Sequence, residues 1–102
     1  MRYLVQIELP HEPFNTYIRE GTVGQKISRV LEETKPETIY FSEQDGKRGA
    51  VAVYSMKSPS DIPSVCEPWF LAFNADCRIR IAMTPEDLKA AGLDDLGKRW
   101  RG

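Results

Sequence analysis

The chain has 102 residues, of which 41% are apolar and 28% charged, and its formal net charge at pH 7 is -1. This length supports a single domain, and the near-neutral balance argues against a nucleic-acid partner, because phosphate binding normally requires a strongly basic surface. We expect a cytoplasmic protein, since no stretch resembles a signal peptide or reaches the ~20 apolar residues of a membrane span. Two cysteines and one histidine cannot make a four-ligand zinc site without carboxylates, so we expect free thiols, no metal and no cofactor.

The first third of the chain predicts a strand, a loop and a helix. Apolar residues alternate over residues 3–9, which is typical of a half-buried strand. Residues 10–21 are rich in turn formers and predict a long loop with at most one helical turn, opened by Asn15. Thr22 and Gln25 then form a capping-box pattern at the start of a helix. The apolar face of that helix comprises Val23, Ile27, Val30 and Leu31.

The middle of the chain predicts a β-hairpin followed by a second helix. The segments TIYFSE and AVAVYSM are rich in β-branched and aromatic residues and flank the tight-turn sequence DGKRG. A helix then follows, with Ser60 as its cap. Because Pro68 would remove a hydrogen bond from the helix interior, we expect a kink or break near Glu67. The predicted apolar stripe comprises Ile62, Val65, Cys66, Trp69, Phe70 and Phe73.

The last third predicts a fourth strand, a short helix and a tail. In CRIRIAM, residues 77–83, apolar residues alternate with Arg78 and Arg80, so one face of the strand is apolar and the other carries two guanidinium groups. Thr84 is the expected cap of a short helix, and Pro85 its first residue. The final ten residues form a tail, for which we expect three apolar anchors, Leu93, Leu96 and Trp100.

This order of elements, β-α-β-β-α-β plus a C-terminal helix, predicts a ferredoxin-like α+β fold with a four-stranded antiparallel sheet over residues 1–102. Both main helices are expected on one face of the sheet. The residues predicted to lie under the helices are Tyr3, Val5, Ile7, Leu9, Ile39, Phe41, Val51, Val53, Ile79, Ile81 and Met83. Those predicted on the opposite face are Gln6, Glu8, Tyr40, Ser42, Ala50, Ala52, Tyr54, Arg78 and Arg80.

One region resembles a known superfamily. Residues 66–88, CEPWFLAFNADCRIRIAMTPEDL, look like the final helix, strand and post-strand turn of the dimeric α+β barrel proteins, to which muconolactone isomerase and many small bacterial proteins belong. The segments ELPHEPFN and EPWFLAFNA also resemble such small proteins, and the element order agrees over nearly the whole chain. The resemblance implies a homodimer in which two sheets pack face to face and enclose a cavity.

The resemblance also implies a pocket between the sheet, the loop after the first strand and the second helix. The candidate catalytic residues are His11, whose imidazole can exchange protons near neutral pH, and Glu67, which precedes the expected kink. Arg78 and Arg80 can hold a carboxylate through charged N–H donors. The candidate ligand-binding residues are Tyr17, Arg19, Tyr40, Arg48, Trp69, Asn74, Arg78 and Arg80.

Several of these features have a second interpretation. Arg48 and Gly49 open a strand as in RNA-recognition domains, but small aliphatic residues follow where stacking rings are needed, so RNA binding is not favoured. Arg78 and Arg80 can instead pair with Glu8 on the neighbouring strand. His11 and Glu67 can be solvated side chains with no role in a site, and the Trp69 ring can belong to the core.

The leading hypothesis is a small-molecule-binding or enzymatic dimeric α+β barrel that acts on an aromatic or acidic metabolite. The alternative is a homodimer without chemistry, in which the same sheet face serves only for association. The absence of a phosphate loop, a Ser-His-Asp pattern or a metal cluster favours the alternative, whereas the charged residues on that face count against a filled interface. The residues do not decide between enzyme and binding protein.

Overall fold

The computed structural model describes residues 1–102 as a four-stranded antiparallel sheet with its main helices on one face. The strands are β1 (Arg2–Leu9), β2 (Thr38–Gln44), β3 (Lys47–Ser55) and β4 (Asp76–Ala82), and they lie in the order β2-β3-β1-β4. The helices are α1 (His11–Glu20), α2 (Val23–Thr34), α3 (Asp61–Phe73), α4 (Pro85–Ala90) and α5 (Leu93–Arg99). This arrangement confirms the predicted ferredoxin-like fold. No helix is both long and apolar enough to span a lipid bilayer.

The register of the central strand decides which side chains share a face. Val5 in β1 lies opposite Ala52 in β3 and Ile79 in β4. Directly opposed residues of antiparallel strands point to the same side, so these three side chains lie together. The predicted hairpin is present between β2 and β3, and its turn residues Asp45 and Gly46 have φ angles of 52° and 80°. Two positive φ angles in a two-residue connection are typical of a type I′ turn.

Buried apolar side chains form one core between the sheet and the helices. Its largest fully buried members include Trp69 and Phe73 of α3 and Tyr54 of β3. Phe14 and Tyr17 of α1 pack against Phe73, with ring centroids 5.6 and 5.7 Å apart. The full cluster comprises Val5, Ile7, Leu9, Val30, Ala50, Ala52, Tyr54, Met56, Val65, Cys66, Trp69, Phe73 and Ala75.

A chain of hydrogen bonds runs through this core. Trp69 Nε1 donates to the Tyr54 hydroxyl at 3.3 Å, and that hydroxyl lies 2.8 Å from Thr34 Oγ1. Thr34 Oγ1 in turn donates to the Val30 carbonyl at 2.8 Å, so the Tyr54 hydroxyl must donate to Thr34. The chain links α3, β3 and α2, and it satisfies the polar groups of both buried aromatic side chains.

The predicted faces of β3 were wrong. Ala50, Ala52 and Tyr54 lie under the helices with at most 1% of their surface exposed, whereas Val51 is 39% exposed on the opposite face with Val53. The run AVAVY is apolar at both alternating positions, so hydrophobicity alone does not decide its orientation. Tyr54 decides it, because only the face towards α2 and α3 offers its hydroxyl two partners.

Four local predictions about helices were also wrong. Residues 10–21 are mostly helical, because Phe14 and Tyr17 bury one side of α1 against the core; only Glu12 departs from helical geometry. Neither of two predicted caps, Thr22 for α2 and Ser60 for α3, makes a side-chain capping bond to its helix. Helix α3 continues through Pro68 without a break. The carbonyl left without a partner there belongs to Ser64, which is exposed and can bind water.

The C-terminal residues extend away from the rest of the molecule. The chain measures 62 × 29 × 18 Å and has a radius of gyration of 17.5 Å, against about 13 Å for a compact domain of this length. Helices α4 and α5 contain no buried residue. The predicted anchors are therefore wrong for a single chain: Leu93, Leu96 and Trp100 are 55%, 41% and 83% exposed.

Candidate functional site

The side of the sheet that carries no helix is called the open face here, and it consists of three rows of opposed residues. The rows are Ser42–Gly49–Glu8–Asp76, Tyr40–Val51–Gln6–Arg78 and Thr38–Val53–Leu4–Arg80. Adjacent strands are about 4.8 Å apart and alternate residues of one strand about 7 Å apart, so the four strands span about 14 Å. The open face therefore has the size of a small aromatic molecule together with its substituents.

Arg78 and Arg80 have no ion pair and no side-chain hydrogen bond within the chain. The alternative that they pair with Glu8 is contradicted, because Glu8 Oε1 lies 3.4 Å from Lys47 Nζ. The register explains this, since Glu8 is opposed by Asp76 in β4, whereas the two arginines stand opposite Gln6 and Leu4. Two guanidinium groups on one strand thus have all their donors available to a ligand or a partner.

The centre of the open face is apolar and one margin is aromatic. Leu4, Val51 and Val53 occupy neighbouring positions on β1 and β3, and Tyr40 on the edge strand β2 is 72% exposed. A ring can therefore lie on aliphatic side chains with the arginines at one margin and the phenol at the other. This combination of apolar area with few charged donors is typical of small-molecule sites.

The open face was only partly predicted from the sequence. Tyr40, Arg78 and Arg80 were placed there correctly, but Val51 and Val53 were assigned to the core. The signal that would have found them is Tyr54, since a tyrosine that closes an alternating strand needs a buried partner for its hydroxyl.

Two other candidate residues lie at a groove on the helical side of the domain. Tyr17 and Glu67 line a cavity of about 390 Å³ between α2 and α3, together with Lys26 and Arg29. Tyr17 donates its hydroxyl hydrogen to the Ala72 carbonyl at 2.6 Å, and Lys26 Nζ lies 4.9 Å from its ring centre. The sheet and core separate this groove from the open face, so Glu67 and Arg78 do not belong to one pocket within a single chain.

Arg48 lies on the helical side at the edge of α1. Its guanidinium is 4.5 Å from the centre of the Phe14 ring, and Nη1 donates to Asn15 Oδ1 at 2.8 Å. These contacts hold α1 against β3, and Asn15 is a partner that the sequence did not identify. Arg48 is therefore already engaged within the chain, unlike the two arginines of β4.

The remaining candidates lie apart from one another. Trp69 is fully buried in the core, and Asn74 ends α3 in the left-handed conformation, with φ 54°. His11 is exposed at the start of α1. Arg19 Nη1 lies 3.4 Å from Glu12 Oε1, and hydrogen bonds from Thr16, assisted by that arginine, lower the pKa of the Glu12 carboxyl.

The two cysteines are free thiols in or beside the core. Burial raises the pKa of the Cys66 thiol, and burial together with Cys66 raises the pKa of Cys77 to about 12. Since the thiolate is the reactive form, neither sulfur is a ready nucleophile at neutral pH. No group of three or more His, Cys, Asp or Glu side chains is placed to hold a metal ion.

Comparisons with known proteins agree with the fold. No family model and no curated protein matches the chain. The structure is similar to that of 5-chloro-2-hydroxyhydroquinone dehydrochlorinase from Burkholderia phenoliruptrix AC1100, solved in complex with 2,5-dihydroxybenzoquinone. The TM-score is 0.58 and the identity 14%, covering 84% of this chain and 97% of that one.

Two further structures are less similar. A formyltetrahydrofolate deformylase from Pseudomonas putida KT2440 has a TM-score of 0.48 and 9% identity, covering 80% of this chain and 29% of that one. Protein Atu4242 from Agrobacterium tumefaciens has a TM-score of 0.42 and 14% identity, covering 83% and 96%. At 14% identity, the similarity to the dehydrochlorinase shows a shared fold and nothing more specific. The chain thus has the ferredoxin-like α+β fold that its resemblance to the dimeric α+β barrel superfamily implied.

Proposed function

We propose that two chains pack their open faces together and enclose a small aromatic, acidic molecule whose oxygens are held by Arg78 and Arg80. The observation that carries this proposal is that both guanidinium groups lie unpaired on a face with an apolar centre. In a face-to-face dimer they would lose water. A buried charge without a partner is costly, so a negatively charged ligand would complete the interface.

The spacing of the two arginines indicates the kind of ligand. Alternate residues of a strand are about 7 Å apart, and arginine side chains are long enough to converge or to diverge from such positions. The two groups can therefore hold one carboxylate together or donate to two different oxygens of the same ring. The dehydrochlorinase with the similar fold was solved with 2,5-dihydroxybenzoquinone, and this planar, acidic ring with oxygens on opposite sides supports a flat, negatively charged ring as the ligand.

A catalytic role for this site would require an acid–base group beside the bound ligand. His11 is the proposed acid–base group, because it is exposed immediately after β1 and Pro10 and makes no side-chain hydrogen bond within the chain. Glu67 keeps a proposed role only if a second chain brings its groove into the site, since α3 lies on the other side of the sheet. A binding protein without a reaction therefore fits the same open face.

The test is titration of 2,5-dihydroxybenzoquinone into the purified chain and into the Arg78→Met/Arg80→Met variant, with mass in solution measured on the same samples. Losing two charged hydrogen-bond donors should weaken binding by about 100-fold or more. The matched control is Lys35→Met/Lys57→Met, which removes two positive charges from exposed loop positions and should bind as the parent does.

The outcomes separate the proposal from its alternative. Equal binding by the parent and the arginine variant would mean that the arginines do not hold the ligand. A stable dimer that binds no acidic aromatic compound, and that the arginine variant leaves intact or strengthens, would support the association-only module. If the control lost as much affinity as the arginine variant, the loss would be due to the change in net charge and not to contacts made by Arg78 and Arg80.

A further inference from the structure

The C-terminal arm, defined as residues 83–102, is a well-formed element without a partner. Thr84 Oγ1 accepts a hydrogen bond from the Asp87 backbone at 3.1 Å, and Asp87 Oδ2 accepts one from the Thr84 backbone at 3.0 Å. This reciprocal pair caps α4, and Gly92, with φ 70°, begins α5. The arm is thus folded locally, although neither of its helices buries a residue.

One side of α5 is apolar and faces solvent. Leu93, Leu96 and Trp100 are spaced three and four residues apart, so they lie along one stripe of the helix. Their exposed fractions are 55%, 41% and 83%. An exposed apolar stripe with a tryptophan is typical of an association surface, because monomeric proteins rarely leave such area in water.

The stripe does not find its partner in its own chain. The first turn of α4 lies near the end of the sheet, where Asp87 shares a shallow cavity with Arg2 and Glu37. Helix α5 continues beyond that point, and none of the principal contacts between secondary-structure elements involves α4 or α5. The length of 62 Å results from this projection. A second chain can therefore cover the stripe without moving the arm.

The groove between α2 and α3 offers the stripe an apolar lining. It holds about 390 Å³, and Val30, Pro68 and Ala72 contribute to its apolar lining. Leu71 on its rim is 83% exposed, the most exposed large apolar side chain of the body. An apolar centre with charged residues around it is the usual composition of a protein interface.

The charges of the two surfaces are also complementary. Lys26 and Arg29 stand on the α2 side of the groove, and Glu33 and Glu67 are the acids of its lining. Helix α5 has acids in its first turn and bases in its last, followed by Arg101. The acids of α5 are Asp94 and Asp95, and its bases are Lys98 and Arg99. Within the groove, Arg29 Nε lies 3.4 Å from Glu33 Oε1, so these two charges already form an ion pair. The remaining charges of the lining are Lys26 and Glu67, and one orientation of α5 directs its acids towards the lysine and its bases towards the glutamate.

The open face is the other surface that could receive the arm. With Asp94 and Asp95 of α5 towards Arg78 and Arg80, charge does not oppose that contact. In the proposed dimer, however, a second sheet covers the open face, and the groove on the helical side stays available for the arm.

From this placement we infer that α5 docks into the α2–α3 groove of a second copy of the chain, and that two copies exchange their arms reciprocally. This contact uses the opposite side of the domain from the open-face dimer, so it does not depend on the proposed ligand site. Where both contacts form, two open-face dimers are joined into a tetramer.

The first test compares the mass in solution of the parent chain with that of Leu96→Ser/Trp100→Ser. Removing the stripe should halve the mass, from tetramer to dimer or from dimer to monomer. The matched control is Leu88→Ser on α4, which removes an exposed leucine from outside the stripe and should leave the mass unchanged. A parent chain that is monomeric, or a double variant with the parent's mass, would overturn the inference.

The second test locates the contact. Chains carrying Leu71→Cys are mixed with chains carrying Leu96→Cys and oxidised mildly. The native Cys66 and Cys77 should react slowly, because burial raises the pKa of both thiols. A crosslinked pair should form, and Lys57→Cys in place of Leu71→Cys should give none. Ring closure within one chain carrying both new cysteines, at high dilution, would show that the arm folds back instead. Loss of ligand binding by Arg78→Met/Arg80→Met with crosslinking intact would keep the two proposals separate.

Discussion

The Tyr54 hydroxyl is the centre of the hydrogen-bond chain in the core, and its removal has a calculable cost. Tyr54→Phe keeps the ring but leaves the buried Trp69 N–H without an acceptor and removes the donor to Thr34 Oγ1. An unsatisfied buried donor costs about 1–3 kcal/mol, and a lost net hydrogen bond about 1 kcal/mol. Part of this is offset because phenylalanine has no hydroxyl to desolvate. We expect the free energy of unfolding to fall by about 2 kcal/mol.

The assay is urea unfolding at one fixed protein concentration, because any oligomer makes stability concentration-dependent. The comparison variant is Thr34→Val, which leaves the Trp69–Tyr54 bond in place but removes the acceptor of the Tyr54 O–H. Because Thr34 is only half-buried, water can replace this acceptor more easily than it can reach Trp69, so we expect a smaller loss of about 1 kcal/mol. If Tyr54→Phe changed the unfolding free energy by less than about 0.5 kcal/mol, the hydrogen bond from Trp69 would not exist as described.

Two further predictions concern the same core. The orientation of β3 predicts that Ala52→Asp, which buries a carboxylate between the sheet and the helices, costs about 3 kcal/mol or more. Val51→Asp on the open face should cost about 1 kcal/mol, and equal losses in urea unfolding would contradict the orientation. The raised pKa of Cys77, about 12 when folded, predicts that stability is unaffected by this thiol below pH ~8.5 and declines as pH rises towards 12, because only the unfolded thiol ionises in that window. Cys66→Ala/Cys77→Ala should show a shallower decline, leaving the contribution of Tyr54, whose pKa burial also raises; parallel curves for parent and variant would refute the assignment.

The element order was predictable because turn and cap signals were local. Asp45 and Gly46 mark the hairpin through their positive φ angles. Thr84 and Pro85 mark the start of α4, Thr84 through its side-chain cap and Pro85 through its fixed φ. By contrast, the helix over residues 13–20 gave no such local signal. It depends on burial of Phe14 and Tyr17 against Phe73, which is distant in sequence.

Only the part of the candidate site that lies on β4 was predictable from the sequence. Arg78 and Arg80 alternate with apolar residues in β4, and alternation alone places them on the open face. The absence of an ion pair between these arginines and Glu8 was not predictable. It depends on which residue of β1 lies opposite each arginine, and on the ion pair that Lys47 forms with Glu8.

The sequence by itself determined the ferredoxin-like order, the hairpin and the face of β4, because each follows from the period of a short segment or from the conformation of a turn residue. The tertiary structure decided the orientation of β3, the continuity of α3 through Pro68 and the projection of the C-terminal arm. These depend on contacts between distant parts of the chain. A strand that is apolar on both faces, or a helix that is apolar along one stripe, is oriented only by the surface it meets.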